Sequence, residues 1–206
     1  MGMLGGAAQG SFQRLDGSDE KFEQYYVPLR DMVRERALDG LDLDVEEEMS
    51  LSGILRLIDR LRSDFGEGFI ITLAPVATAM LDTTKNLSGF SYMDLESARG
   101  SAISWYNTQF YCGWGDLGNT NMYDFMVQTG WNPEKLVIGM VTNPENGSGF
   151  VPWEVLSPVL VSLTRKRHKF GGVMCWEYFN SLPGDVHQPW EWARNMTLHI
   201  RSGDIV

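Results

Sequence analysis

LDGLDLDVE, residues 38–46, is the stretch of this chain that decides the fold. Side chains alternate between the two faces of a β-strand. Asp42, Asp44 and Glu46 therefore share one face, and the opposite face carries the apolar residues Leu41, Leu43 and Val45. Apolar residues on one face suit packing against helices, so the three carboxylates line the inner face of the sheet and continue to the carboxyl end of the strand.

Short apolar runs alternate with longer amphipathic segments along the rest of the chain. Strands are predicted at 1–4, 41–45, 69–73, 103–111, 136–141 and 172–179, and helices at 19–36, 50–64, 122–128, 152–167 and 189–199. This alternation predicts right-handed βαβ units around a parallel sheet, hence an α/β fold. The strands are apolar almost throughout, so both faces of the sheet are covered. No linker divides the sequence, and a single domain over 1–206 is predicted.

The carboxylate face has no structural purpose that the sequence reveals. Like charges a few ångströms apart in a low-dielectric interior are costly, so at least one of these carboxyls is expected to stay protonated at neutral pH. A protonated carboxyl beside ionised neighbours is what general-acid catalysis requires. The alternative is an ordinary solvated acidic face, with the apolar residues of the strand covering a core on one side only. Glu47 and Glu48 follow directly and are assigned to a solvated loop.

The acidic stretch resembles the D-x-x-D-x-D-x-E signature of glycoside hydrolase family 18. The acidic positions of the signature are matched at Asp39, Asp42, Asp44 and Glu46. Three further stretches resemble strand ends of that family, and they are Leu4-Gly5-Gly6, Gln109-Phe110-Tyr111 and the run from Gly172 to Trp176. Within the family the chain looks most like fungal endo-β-N-acetylglucosaminidases, and Cys112 departs from the plant-type chitinase pattern.

The resemblance implies a (β/α)8 TIM barrel, of which the chain would supply strands three to eight. Such a barrel closes with eight strands and usually needs about 250 residues. Six strands alone would leave two unpaired edges. We therefore expect the sequence to be truncated at its amino end, with roughly 70–100 further residues upstream in the natural chain.

The resemblance also implies catalytic roles for residues of the barrel. Glu46 would protonate the leaving glycosidic oxygen, and Asp44 would orient the 2-acetamido group that attacks its own anomeric carbon. Asp42 would share a proton with Asp44, and Tyr111 would donate a hydrogen bond to the acetamido oxygen. This is a retaining hydrolysis assisted by the substrate, an exception to the scheme with two catalytic carboxylates.

Substrate-binding residues are predicted around these four. If Tyr111 faces the barrel interior, strand alternation places Gln109 and Asn107 there too, to bind sugar hydroxyls. Trp176 would form the floor of the pocket, although core packing explains a single tryptophan equally well. Two further positions are assigned to substrate binding, and they are Asp39 and Trp114.

Composition and charge exclude several functional classes. The net charge is −10, from 17 Lys+Arg against 27 Asp+Glu, which argues against nucleic acid as a partner. No run of eighteen apolar residues occurs, so no membrane span is predicted. No metal is expected, because His168, His187 and His199 lack ligand spacing, and surface or helix-cap roles are predicted for them instead. No cofactor is expected either, because Gly5-Gly6 does not fit a dinucleotide-binding fingerprint. Cys112 and Cys175 are predicted to be buried free thiols.

Three hypotheses remain at this point. The first is an enzyme that cleaves the N,N′-diacetylchitobiose core of N-linked glycans, the second is a chitinase, and the third is an inactive glycan-binding barrel. In each case the partner is a carbohydrate with β-1,4-linked N-acetylglucosamine, and a monomer is expected.

The first residues do not form a signal peptide. Because the sequence is expected to be truncated at its amino end, secretion stays the favoured localisation, with the cytosol as the alternative. Sequons at Asn86, Asn146 and Asn195 would be used only in the secretory pathway.

Overall fold

The computed structural model describes residues 1–166 and 169–201, and within these ranges six β-strands alternate with seven α-helices. The elements are β1 (Gly2–Gly5), α1 (Phe12–Leu15), α2 (Asp19–Glu35), β2 (Gly40–Asp44), α3 (Leu51–Phe65), β3 (Ile70–Leu73), α4 (Tyr92–Arg99), β4 (Trp105–Gln109), α5 (Asn121–Gln128), β5 (Leu136–Val141), α6 (Trp153–Lys166), β6 (Gly172–Trp176) and α7 (Trp190–Ile200). The strands form one sheet in the order β1-β2-β3-β4-β5-β6. The pairings of β1 with β2, β2 with β3, β3 with β4, and β5 with β6 are parallel. The α/β fold predicted from the sequence is confirmed.

The chain divides into two compact units, the first from Met1 to Tyr106 and the second from Asn107 onward. A single domain over 1–206 therefore stays a prediction. Two predicted features, the last residue of the helix 152–167 and the surface role of His168, lie outside the described residues. Within the described part of the chain, no helix has both the length and the apolar character needed to cross a membrane.

In the first unit, β2 pairs with β1 on one side and with β3 on the other. Helix α3 shows why the sequence folds this way. Ser50 caps its amino end by accepting a hydrogen bond from the Gly53 N–H, as Ser, Thr and Asp commonly do at this position. The predicted apolar face of α3 is fully buried, and its residues are Ile54, Leu57, Ile58 and Leu61. The apolar stripe predicted from the sequence is therefore the buried face of α3.

In the second unit, β5 is buried along its whole length and pairs with β6 from Val137↔Gly172 to Val141↔Trp176. The predicted strand 172–179 is too long, because β6 ends at Trp176. The residues beyond the strand turn outward, and Tyr178 and Phe179 are more than half exposed. Their apolar side chains had suggested a buried strand.

The predicted burial of the two cysteines also needs correction. Both cysteines are free, as predicted. Cys112 is exposed rather than buried, because β4 ends at Gln109 and Cys112 lies in the turn that follows, with a φ angle of +55°. Cys175 is half-buried, and burial raises the pKa of its thiol.

Candidate active site

The acidic strand β2 has one apolar face and one carboxylate face, as the sequence predicted. Leu41, Leu43 and Val45 are at most 3% exposed. Asp44 is buried, Asp42 and Glu46 are half-buried, and the Thr72 hydroxyl on β3 donates a hydrogen bond to Asp42 Oδ1 at 2.5 Å. The alternative, an ordinary solvated acidic face, would leave all three carboxylates in water. It is wrong for Asp44, which is buried, and Asp42 and Glu46 are only partly exposed to solvent.

Two glycines at the end of β1, Gly5 and Gly6, allow the chain to pass close to Asp44. The Gly6 N–H donates to the Asp44 carbonyl oxygen at 2.9 Å. A Cβ on Gly5 would lie 2.2 Å from that oxygen, and a Cβ on Gly6 would lie 3.6 Å from Asp44 Oδ2. Both glycines have φ above +90°, a conformation that other residues rarely adopt. The Gly-Gly pair therefore brings backbone against both the carbonyl and the carboxylate of Asp44.

Tyr92, the first residue of α4, is a member of this site that the sequence did not reveal. Its side chain is only 1% exposed, and it stacks against Phe90 at a tilt, with ring centroids 5.0 Å apart. Burial is the main cause that raises the pKa of Tyr92, and the charges of Asp44, Asp42 and Glu46 raise it further. All three carboxylates of the β2 face therefore act electrostatically on the Tyr92 phenol. No local pattern around α4 signals this, because the contact depends on the fold.

Glu47 is not in a solvated loop as predicted. It is 3% exposed, and its carboxylate accepts hydrogen bonds from the N–H groups of Gly10 at 2.7 Å and Phe12 at 2.6 Å. The carboxylate therefore anchors the loop between β1 and α1 beside the carboxyl end of β2. Glu48 is exposed, as predicted.

Asp39 is the one acidic member of the signature that the structure does not place with the others. It is exposed and precedes β2, whereas Glu46 follows the strand at its other end. The two carboxylates thus lie at opposite ends of β2, and the substrate-binding role of Asp39 stays a prediction.

The predicted sugar-binding residues after Tyr106 all belong to the second unit. Asn107, Gln109 and Tyr111 are 5–9% exposed, whereas Thr108 and Phe110 on the other face are 1% exposed. Each of the three predicted site residues takes part in an interaction with another residue, as buried polar groups require. All five side chains are buried, so exposure alone does not separate the two faces, and the sugar-binding roles of Asn107, Gln109 and Tyr111 stay predictions.

Trp176 and Trp114 differ in how firmly they are enclosed. Trp176 ends β6 and is 38% exposed, so core packing does not account for it. Trp114 is half-buried in the turn after β4, where its backbone N–H donates to the Tyr111 carbonyl at 3.1 Å. Both indoles are thus accessible to a ligand in part.

The structure describes the surroundings of two of the three histidines, His187 and His199. His187 is exposed, and His199 places its ring edge-on to Trp153 with centroids 4.4 Å apart. Among residues 1–166 and 169–201, no group of three or more His, Cys, Asp or Glu side chains is arranged to hold a metal ion.

Solved structures with high sequence identity share this fold. A chitinase, ChiC, from Aspergillus fumigatus is 61% identical with a TM-score of 0.87, over 96% of this chain and 71% of that one. A fungal endo-β-N-acetylglucosaminidase from glycosyl hydrolase family 18 is 53% identical with a TM-score of 0.94, over 98% of this chain and 72% of that one. These likenesses confirm the predicted TIM-barrel fold class, while the truncation stays a prediction.

Curated sequences give more distant relatives. Chitinase 2 from Rhizopus oligosporus is 32% identical over 148 residues, which are 68% of this chain and 25% of the relative. The chain spans between 25% and 59% of the length of the curated relatives it matches. No protein-family sequence profile matches it. The family 18 endo-β-N-acetylglucosaminidase is nevertheless more than half identical to this chain, over nearly the whole chain and most of the solved structure. This likeness decides the family. The chain belongs to glycosyl hydrolase family 18.

Proposed function

We propose that this chain carries the catalytic residues of an endo-β-N-acetylglucosaminidase that hydrolyses the β-1,4 bond within the N,N′-diacetylchitobiose core of N-linked glycans. The likeness to the fungal endo-β-N-acetylglucosaminidase, with a TM-score of 0.94, supports this activity, and the observation that carries the catalytic part of the proposal is the carboxylate face of β2. Asp44 is buried, Asp42 accepts a hydrogen bond from Thr72, and both lie near a buried phenol together with Glu46. Carboxylates gathered in partly dehydrated surroundings are suited to proton transfer.

The proposed reaction retains the anomeric configuration and uses the substrate as its own nucleophile. The carboxylic acid of Glu46 gives its proton to the glycosidic oxygen as the bond from that oxygen to the anomeric carbon breaks. The carbonyl oxygen of the 2-acetamido group bonds to the anomeric carbon and forms a cyclic oxazolinium ion. Glu46, now a carboxylate, removes a proton from water as the water oxygen attacks the anomeric carbon and opens the ring.

The other members of the proposed site orient and stabilise the acetamido group. Asp44 accepts a hydrogen bond from its N–H and stabilises the positive charge of the oxazolinium ion. Asp42, which Thr72 orients, shares a proton with Asp44. Tyr111 donates to the acetamido oxygen in this scheme.

The proposed sugar-binding residues come from the second unit. Gln109 and Asn107 are assigned to sugar hydroxyls, since their amides both donate and accept. Trp176 provides an apolar face for the N-acetylglucosamine ring, and Trp114 is a further contact. Secretion and a monomeric state are part of the proposal as well.

A chitinase is the second candidate, and the 61% identity with the Aspergillus fumigatus chitinase favours it. Both activities break a β-1,4 bond that follows an N-acetylglucosamine residue, so the same carboxylates serve either. The difference lies in what is attached to the two sugars.

One experiment distinguishes the two activities. The protein is incubated with a high-mannose glycoprotein and, separately, with chitin oligomers, and all products are identified by mass. The endoglycosidase releases glycans that end in a single N-acetylglucosamine and leaves the other on the asparagine. Cleavage of the oligomers without action on the glycoprotein assigns a chitinase instead.

The identity of the nucleophile has its own test. A thiazoline analogue of the cyclic intermediate should inhibit competitively and bind more tightly than the substrate, as transition-state and intermediate mimics do. Detection of a covalent ester between the sugar and Asp44 by mass spectrometry would refute catalysis by the acetamido group.

A further inference from the structure

A cluster of polar side chains joins the carboxyl ends of β5 and β6 in the second unit. We call it the asparagine clamp, and its members are Thr142, Asn143, Asn146 and Asn180. Thr142, Asn143 and Asn180 are 1%, 8% and 6% exposed. Buried amides and hydroxyls need hydrogen-bond partners, and in the clamp these partners lie on the segment that follows Trp176.

The carbonyl oxygen of Trp176 receives two hydrogen bonds from the clamp. The Thr142 N–H donates to it at 2.9 Å, and Asn146 Nδ2 donates at 3.2 Å. The next carbonyl, that of Glu177, accepts from Thr142 Oγ1 at 2.6 Å. The backbone on the carboxyl side of the Trp176 Cα is thus fixed from one direction by two residues of the clamp.

The two asparagine side chains hold each other as well. Asn146 Nδ2 donates to Asn180 Oδ1 at 3.0 Å, and Asn180 Nδ2 donates to Asn146 Oδ1 at 2.7 Å. Asn143 Nδ2 donates to the Asn180 carbonyl at 2.9 Å, and the Leu182 N–H donates to the Thr142 carbonyl at 3.1 Å. The segment from Trp176 to Leu182 is therefore tied to the end of β5 at four backbone positions.

This arrangement matters because the Trp176 side chain is 38% exposed. A partly exposed side chain has fewer packing contacts to fix its orientation. Its orientation therefore depends more strongly on the position of the backbone to which it is attached. An aromatic platform needs a fixed orientation, since a sugar ring contacts it face to face. In the described part of the second unit, the clamp supplies this restraint at the end of β6.

We propose that Asn146 and Asn180 are positioning residues that hold the Trp176 indole in the orientation needed to bind an N-acetylglucosamine ring. The inference rests on the proposed function, because that function assigns the sugar contact to Trp176.

Asn146 is also the first residue of one of the glycosylation sequons. The clamp already uses the nitrogen to which a glycan would be attached, so the folded chain presents no free acceptor there.

The first test needs no substrate. The full chain is labelled with 5-fluorotryptophan at its seven tryptophans, and the fluorine resonance of Trp176 is assigned by its loss in Trp176→Phe. Asn146→Ala should shift or broaden this resonance, because the indole samples more than one orientation. The matched control is Asn121→Ala, an exposed amide at the start of α5, which should leave the resonance unchanged.

The second test separates positioning from general stability. With a high-mannose glycopeptide as the probe, Asn146→Ala should raise KM about five- to tenfold, the size of one or two net hydrogen bonds, with kcat changed less than about twofold. In a Trp176→Ala background the same substitution should raise KM no further, because the platform it positions is gone. Should Asn146→Ala fail to fold, Asn180→Asp keeps the side-chain volume and removes one donor, and it should show the same pattern at smaller amplitude.

Each outcome decides one of the two claims. An unchanged Trp176 resonance in both clamp variants overturns the positioning role. An equal rise of KM in the presence and absence of Trp176 also overturns it, because the effect is then structural. If the resonance moves but Trp176→Ala leaves KM unchanged, the clamp holds the indole and the proposed sugar contact of Trp176 is what fails.

Discussion

Glu46 and Glu47 are neighbours in the chain, and the structure gives them opposite environments. Glu46 is half-buried, with its charge acting on Tyr92, whereas the Glu47 carboxylate is buried under two backbone N–H groups. Alternation along the strand predicts the side on which Glu46 lies. It says nothing of the loop that covers Glu47, because that loop is 35 residues away in sequence. A charged residue signals exposure in a sequence, so this burial could only be found in the fold.

At Glu46, the substitution Glu46→Gln should reduce hydrolysis by about 10²–10⁴, since an amide cannot transfer the proton that a positioned acid supplies. Binding of a non-hydrolysable analogue should persist, because the shape is kept. Initial rates and calorimetric titration measure the two effects, and Glu48→Gln, an exposed neighbour, is the control. Activity within about tenfold of wild type would exclude Glu46 as the acid.

At Glu47, the substitution Glu47→Gln should lower the free energy of unfolding by about 1–3 kcal/mol, because one acceptor is replaced by a donor that faces a buried N–H. Urea unfolding measures this, and Glu48→Gln should stay within about 0.5 kcal/mol of wild type. Equal stability of the two variants would show that the loop between β1 and α1 does not depend on the Glu47 carboxylate.

At the scale of elements, the sequence predicted those whose own residues carry the signal. The apolar stripe of α3 and the continuous apolar run of β5 both occur where predicted. The strand 172–179 was predicted too long because its last aromatic residues are exposed, and hydrophobicity alone does not reveal this. Helix α4 was not predicted, since it has eight residues and only Tyr92 and Leu95 are buried.

Strand β2 begins with Gly40, which lies within the acidic stretch, and the structure shows why a glycine stands there. A Cβ on Gly40 would lie 2.3 Å from the Ile70 carbonyl oxygen on β3. Gly40→Ala should therefore lower the free energy of unfolding by about 1–3 kcal/mol, because the two strands must separate slightly. Gly68→Ala is the control, since nothing lies within 4 Å of a Cβ there. A chemical denaturation curve for Gly40→Ala that coincides with that of Gly68→Ala would contradict the close approach of β2 and β3.

For the whole molecule, sequence and structure contribute different parts of the candidate site. The carboxylates Asp42, Asp44 and Glu46 follow from a period of two in one short segment. Their neighbours Thr72 and Tyr92 come from other elements, 30 and more residues along the chain. No pattern local to those positions marks them, because their place in the site depends on strand pairing and helix docking.

Three buried tyrosines, Tyr26, Tyr92 and Tyr106, link the stability of the molecule to alkaline pH. Burial is the main cause that raises the pKa of each. In Tyr26 and Tyr106 the phenol also donates a hydrogen bond to a carboxylate, that of Asp64 and of Glu96 respectively, both at 2.8 Å or less. A donated hydrogen bond of this kind is lost when the phenol ionises, so the folded chain holds these protons more tightly than the unfolded chain does.

The consequence is a loss of stability above about pH 10, the ordinary pKa of tyrosine. There the unfolded chain releases protons that the folded chain keeps, so the free energy of unfolding falls as pH rises, by up to about 1.4 kcal/mol per pH unit for each tyrosine. The stability contribution is fully present below this range. Urea unfolding at pH 8, 10 and 11 measures how steeply the free energy of unfolding falls with pH. The fall should be less steep in Tyr106→Phe than in wild type. It should stay unchanged in Tyr178→Phe, where the ring is 51% exposed. The same slope in both variants would mean that the buried phenols do not govern alkaline unfolding.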